Sequence, residues 1–451
     1  MKRTLGDAAQ AVGGRLVGGD QRYCVVSSDS RTLGPGALFV ALHGPRFDGA
    51  DFVGGALERG AVGALVEKQV AAPISQIVVA DALSAVQRLA AAWRSDFAIP
   101  IVGVGGSNGK TTAKEMTAAI LSRMGTCMAT HGNLNNHIGV PITLMRLEPA
   151  HRSAVVEMGA NRIGDVAQLV RFVRPTVGLI TNAGAEHLEG FGSLDGVAEG
   201  EGEMVAGLSP DATAVINADD AYANYWRSVS GTKRVVTFGA HGADFTALNP
   251  VLGIERGEFS TRFTLQCPLG ERPILLRAGG AHNVANALAA AAAATAAGAS
   301  LDDVAAGLAD FRPVAGRLQL KGGLRGSWLI DDSYNANPSS VRAGLEVLRT
   351  LPGTTWLVLG DMAELGEHAS DSHSHLGRYA RECGVKRLFA VGPQSSRAVE
   401  TFGAGAEWFA DAEPLIRRLQ AELAPAVTVL VKGSRVNRLE RVVQALTGNG
   451  S

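Results

Sequence analysis

Cysteine is scarce in this chain of 451 residues: Cys24, Cys127, Cys267 and Cys383 stand far apart and form no CxxC pair. That spacing argues against a disulfide framework and against thiolate-bound zinc, and it suits a reducing compartment, the cytoplasm being the expected one. An excess of charge of one sign is missing too. With 42 Lys+Arg against 43 Asp+Glu the formal net charge is −1, which gives no electrostatic support to a nucleic acid or a membrane surface as partner. No run of about 18 apolar residues is present to cross a bilayer, and "TLGDAAQAVGG" after "MKR" lacks the apolar stretch of a signal peptide. The stretch "ANALAAAAAATAAGA" reads as a helix of small side chains that permits close packing, not as a membrane span. These absences leave a globular protein with a small partner.

What is present is apolar mass in a regular alternation. Apolar residues make up 46% and charged ones 19%, enough for several cores, and the length suggests about three domains at roughly 150 residues each. Short β-rich runs ("IPIVGVGG", "SAVVEMGA", "PTVGLITNAG", "TAVINADD", then "SWLIDDS", "TWLVLGDM", "RLFAVG", "VTVLVKGS") alternate with amphipathic helical stretches. This is the α/β signature with mostly parallel sheets. Breaks near Ala98 to Pro100 and at "DFRPVAGR" divide the chain into 1–97, 98–312 and 313–451.

"IPIVGVGGSNGKTTAKEM" predicts strand, glycine-rich turn and helix: a strand over Ile101 to Val104, a loop from Gly105 to Gly109, and a helix starting near Lys110. Such a loop aims successive backbone N–H groups at a polyphosphate, at the positive end of a helix dipole. Gly106, Ser107, Asn108, Gly109, Lys110, Thr111 and Thr112 are the candidate phosphate contacts; Lys110 supplies a point charge and Thr111 can reach Mg²⁺. Val104 stands where the strict motif has its first glycine, so the match is to the core "GxxGKT" alone. Ligands of open parallel sheets sit at the carboxyl ends of strands. "VVE" ends on Glu157, which suits Mg²⁺ as an oxygen ligand, and "LITN" is followed by Glu186 and His187. Taken alone, His187 is better read as a hydrogen-bonded structural histidine. "HGNLNNHIGVP", with Asn135 and Asn136, reads as a loop; Asn283 lies near a helix start, as cap or nucleotide contact; Arg317 sits at a domain junction.

The stretch "SLDGVAEGEGEMVAGL" carries three glutamates two residues apart. At 100° per residue Leu194, Val197, Met204, Val205 and Leu208 share one side, Glu199 and Glu203 point away to solvent, and Glu201 falls in the middle of the apolar side. Alternatively Gly200 and Gly202, each costing about 1 kcal/mol, break the helix. A carboxylate aimed into a core needs a partner.

In chain order "SSDSR", "FVALHGPRFDGADF", "GGSNGKTTAKEM", "GNLNNHIGVP", "VVEMGAN", "TNAGAEHLEGFGSLDGVA", "GGAHNVANALAA", "GRLQ", "IDDSYNANP", "VLGDMAELG" and "VLVKGSR" resemble the Mur ligase family over the whole chain. "HLEGFGSL", "DDSYNANP", "GDMAELG" and "VKGSR" look like its D-alanyl-D-alanine-adding branch. The resemblance implies three domains: one for the UDP end of UDP-MurNAc-tripeptide, a central ATPase, and a Rossmann-like C-terminal domain that closes on ATP and the incoming dipeptide. It implies an ATP-dependent amide ligase acting through an acyl phosphate, with ATP and two Mg²⁺, in a monomer. Lys110 and Arg317 would then stabilise the moving phosphoryl group, Thr111 and Glu157 would hold Mg²⁺, and His187 becomes a metal ligand. Asn283 would contact adenine and Asp332 ribose; Asn135 and Asn136 would lie near the tripeptide end; Ser30, Arg31, Phe47 and Asp48 would line a uridine pocket. Glu201 falls where most members carry a lysine that becomes a carbamate. No carbamylated lysine is therefore expected, and Glu201 itself would reach the metal through a water. The alternatives are another ligase of the family with a different amino-acid substrate, and a P-loop ATPase acting as a nucleotide switch.

Overall fold

The computed structural model describes residues 3–44 and 47–447. A five-stranded sheet comes first, in spatial order Arg15–Val17, Ser75–Val78, Ala61–Val66, Ala37–Val40, Val25–Ser27; only the Arg15–Val17 edge is antiparallel. The second sheet is parallel throughout, in the order Arg234–Phe238, Thr213–Asn217, Val177–Ile180, Ile101–Gly105, Ser153–Glu157, Cys127–Ala129. The third runs Gln319–Gly322, Trp328–Asp332, Val427–Lys432, Thr354–Gly360, Arg387–Val391, Ala406–Phe409, again with one antiparallel edge, Gln319–Gly322. Helices cover both faces of these sheets, which is why their strands are apolar without alternation: Ile101, Val102 and Val104 are all fully buried. The expected α/β architecture is thus the observed one.

Strand order positions the site. Ile101–Gly105 lies between Ser153–Glu157 and Val177–Ile180, so the glycine loop, Glu157 and the segment from Thr181 to His187 emerge side by side at the carboxyl ends. The helix Lys110–Leu121 leaves the loop and packs on Ala281–Ala296, whose interior alanines bring the two backbones close. In the third sheet Trp328–Asp332 pairs with Val427–Lys432, placing Asp332 opposite Lys432.

Three local expectations are corrected. An antiparallel meander, Thr246–Glu255, Glu258–Cys267 and Gly270–Leu276, interrupts the parallel pattern. The asparagine loop ends early, in a helix over Gly139–Leu144. In the acidic stretch the helical reading holds, one continuous helix over Leu194–Ala206 capped by the Ser193 side chain and unbroken by its glycines, but two of its side chains are placed otherwise than expected. A Cβ on Gly200 would come within 2.5 Å of Phe191 Cε1, so this glycine admits a ring. Leu194 is 41% exposed rather than buried, being the first residue after the cap. Glu199 is exposed as expected, but Glu203 is half-buried: its carboxylate accepts the Gly164 (2.6 Å) and Ala167 (2.9 Å) N–H groups at the start of the helix Asp165–Val173.

Candidate active site

The loop between Gly105 and Lys110 is held by the strand next to it. The Ser107 N–H donates to Asn182 O (2.8 Å) and the Asn108 N–H to Asn182 Oδ1 (3.0 Å), while Thr181 Oγ1 donates to Asn108 O (2.7 Å). Gly106 and Gly109 take φ of 110° and 82°, and a side chain on either would collide with Thr181 or Asn286. Lys110 Nζ donates to Ser107 O (2.9 Å) and to Glu186 Oε1 (2.8 Å). Burial pulls the lysine's pKa down, but the charges of Glu186, Glu201 and Glu157 outweigh it and the net shift is upward, so Lys110 is a cation. Glu201, 2% exposed, enters from behind the loop, its Oε2 accepting the Gly106 N–H at 2.5 Å. Burial pushes its carboxyl up to about 7, with Lys110 opposing.

Two cavities share this loop. One, of about 330 Å³, is lined by Asn108, Gly109, Thr112, Asn283, Arg317 and Asp332, among others. The other, about 410 Å³, holds Lys110, Thr111, Asn135, Asn136, Glu157 and His187 on one side and Tyr334, Glu364, Arg435 and Val436 on the other. Glu157 closes its strand fully buried; Oε1 accepts from Asn135 Nδ2 (2.9 Å) and Oε2 has no hydrogen-bond partner. An orphaned buried carboxylate oxygen beside a phosphate loop suits a hard cation, and the chain's own acids leave such an ion to share phosphate oxygens: among the described residues no cluster of three or more His, Cys, Asp or Glu forms a closed metal site. His187 has φ 51° and its Nδ1 lies 2.6 Å from Glu364 Oε2, across the cleft, leaving Nε2 free to act as a ligand.

On the nucleotide side Asn283 is buried and donates to Gly279 O (2.8 Å). Asp332 Oδ2 pairs with Lys432 Nζ (2.6 Å), and burial lowers the pKa of that lysine against the pull of Asp332. The Arg317 guanidinium stacks 4.3 Å over Tyr334 with its Nε unpartnered, and it borders both cavities. Of the candidates in the first domain, Ser30, Arg31, Phe47 and Asp48, none lines either cavity. Arg31 makes a two-pronged bond to Asp29, Asp48 caps the turn Gly49–Phe52, and Phe47 is 58% exposed with its edge toward Phe52. Sequence reasoning named Glu186 at a strand end without giving it a role and passed over Asn337, Glu364 and Lys432, all within quoted motifs. Asn337 Nδ2 donates to Asn108 Oδ1 (2.8 Å), joining the third sheet's unit to the phosphate loop.

A phosphate loop, an unsatisfied acid beside it and a second α/β unit closing over both define a nucleotide-dependent enzyme of the P-loop class. Family models agree on the type: "Mur ligase family, catalytic domain" matches residues 22–95, "Mur ligase middle domain" 104–294 and "Mur ligase, glutamate ligase domain" 316–435. The chain belongs to the Mur ligase family. It is 45% identical to the UDP-N-acetylmuramoyl-tripeptide--D-alanyl-D-alanine ligase of Escherichia coli (strain K12) over 99% of both chains, and 36% identical to that of Haemophilus influenzae over 97% of both. Among solved structures it resembles MurF from Acinetobacter baumannii (TM-score 0.93, 35% identity, 99% of both chains). It also resembles MurF from Thermotoga maritima in complex with ADP (TM-score 0.81, 26% identity, 93% of this chain and 96% of that one).

Proposed function

We propose that the chain is the ATP-dependent ligase that joins D-alanyl-D-alanine to UDP-N-acetylmuramoyl-tripeptide in peptidoglycan synthesis. The observation that carries the reading is the pair of cavities meeting at Asn108, Gly109, Thr112 and Arg317: one flanked by Asn283 and Asp332 for a nucleotide, the other larger and holding Lys110 and Glu157 for two further substrates. ATP use is supported by the ADP complex of the Thermotoga neighbour. Full-length identity to ligases of this name supports the substrates.

The tripeptide's terminal carboxylate attacks the γ-phosphorus; the bond from that phosphorus to the β,γ-bridging oxygen breaks, ADP leaves and an acyl phosphate forms. The dipeptide amine then adds to the acyl carbon, inorganic phosphate leaves and the amine proton goes to solvent. Carboxylate is a poor acceptor for amines, and phosphorylation gives it a leaving group. Two anions must meet in the first step, so cations matter most. Lys110 and Arg317 neutralise the transferring group, and the N–H groups from Gly109 to Thr112, at the start of the helix Lys110–Leu121, orient the polyphosphate. Two Mg²⁺, one held by Thr111 and Glu157 and the other with the free nitrogen of His187 as a ligand, would screen the same charge when bound. Asn135 fixes Glu157 and, with Asn136, faces the tripeptide end. Asn283 and Asp332 face the nucleoside. Glu201 holds the loop through Oε2, which accepts the Gly106 N–H, and its other oxygen would reach the metal through a water. Units 1–97, 98–312 and 313–451, a cytoplasmic monomer, and a uridine contact from Ser30, Arg31, Phe47 and Asp48 complete the reading. No helix among the described residues is long and apolar enough to cross a membrane.

Phosphate release measured with ATP alone, with tripeptide, and with tripeptide plus D-alanyl-D-alanine tests it. Full turnover is expected only with all three. Release stimulated by diaminopimelate and indifferent to the dipeptide would assign a different ligase; release with ATP alone would assign a nucleotide switch.

A further inference from the structure

The acceptor dipeptide has features that any site for it must answer: a free amine, two methyl groups and a terminal carboxylate. The larger cavity already carries Glu157, Glu186 and Glu364, so a further carboxylate needs a cation of its own there. Among the described residues three cations line it: Lys110, Arg317 and Arg435. Lys110 belongs to the phosphate loop and Arg317 also borders the nucleotide cavity. Arg435 lines the outer cavity only.

Arg435 is presented, not merely exposed. It opens a short turn, Arg435–Asn437, just past the carboxyl end of Val427–Lys432. Both flanks of the turn are pinned: Ser434 Oγ accepts the Ala363 N–H (2.9 Å) and donates to Ala336 O (3.1 Å), while Asn437 Nδ2 donates to Asp361 O (2.7 Å). Glu440 Oε1 touches Arg435 Nη1 at 3.1 Å from behind, and the Tyr334 ring lies 5.9 Å from its guanidinium carbon. Next to it Val436 is 72% exposed on the cavity wall, with Leu365 and Ala363 nearby on the same wall. An apolar side chain held in the open between two pinned neighbours, beside a forked cation, has the composition of a site for a small apolar carboxylate.

We propose that Arg435 and Val436 form the acceptor subsite, Arg435 taking the terminal carboxylate of the dipeptide with its free N–H groups and Val436 packing on its methyl groups. This rests on the ligase reading above. The experiment is steady-state kinetics of wild type, Arg435→Ala and Arg435→Lys with D-alanyl-D-alanine and with its C-terminal amide. In Arg435→Ala the KM for the dipeptide rises ~10- to 100-fold, the loss expected for one charge-assisted contact, with KM for ATP and tripeptide within twofold. Lysine restores part of the loss, because it keeps the charge without the fork. Wild type shows a similar penalty for the amide, and Arg435→Ala shows none. A dipeptide KM unchanged in Arg435→Ala, or an amide used as well as the acid by wild type, overturns the subsite while leaving the ligase reading intact. A wild type that never consumes dipeptide overturns the ligase reading instead. Should Arg435→Ala fail to fold, the amide comparison on wild type decides alone.

Discussion

At the scale of single residues, Glu201 has the most to say about pH. Burial raises its carboxyl from 4.5 to about 7. An acid whose folded pKa lies above its unfolded one is bound to its proton more tightly when folded, so the stability it confers is complete below pH 4.5 and is lost as pH rises through 7. Glutamine keeps an oxygen for the Gly106 N–H and cannot ionise. The Glu201→Gln protein, compared with wild type without magnesium, should therefore gain on it as pH goes from 5 to 7, by up to roughly 3 kcal/mol, and no further above that. Thermal melts of both proteins over pH 5 to 8 read this directly; a difference that stays flat means the carboxyl does not titrate there.

At the scale of elements, the helix Leu194–Ala206 tests packing against propensity. Replacing Gly200 by alanine favours the helix by about 1 kcal/mol, yet the new methyl would sit 2.5 Å from Phe191 Cε1. Overpacking of that kind costs ~1–3 kcal/mol, so Gly200→Ala should lower the melting temperature; a higher one would show Phe191 stepping aside at little cost. The same element shows what the sequence discloses. The turn from Ile101–Gly105 into Lys110–Leu121 was legible almost to the residue because its signals are local: apolar strand, glycines, then lysine and threonines. Glu201 was legible as buried because helical spacing is local too. The meander was not, since Thr246–Glu255 is largely exposed, Val251 by 64%, and a register shift between Leu248 and Val251 breaks the period of two. Lys432 and Glu364 stood in recognised motifs without a role because their partners, Asp332 and His187, are 100 and 177 residues away in sequence.

At the scale of the molecule, the cleft is spanned by side chains of both domains before any substrate is drawn in. Asn337 and Ser339 reach Asn108 of the phosphate loop, and Glu364 reaches His187. Glu186 belongs to the same bridge: it neutralises Lys110 and lies 3.5 Å from Asn337 Nδ2. Tethered beside the lysine at a high effective concentration, this carboxylate is an internal competitor that an incoming polyphosphate has to displace. Nucleotide affinity is then the remainder of an exchange, lower than the loop alone could reach, which hastens departure of spent ADP. In the Glu186→Gln variant ADP should bind tighter and leave more slowly by calorimetry and stopped flow, and equal or weaker binding would show that the two anions occupy the lysine together.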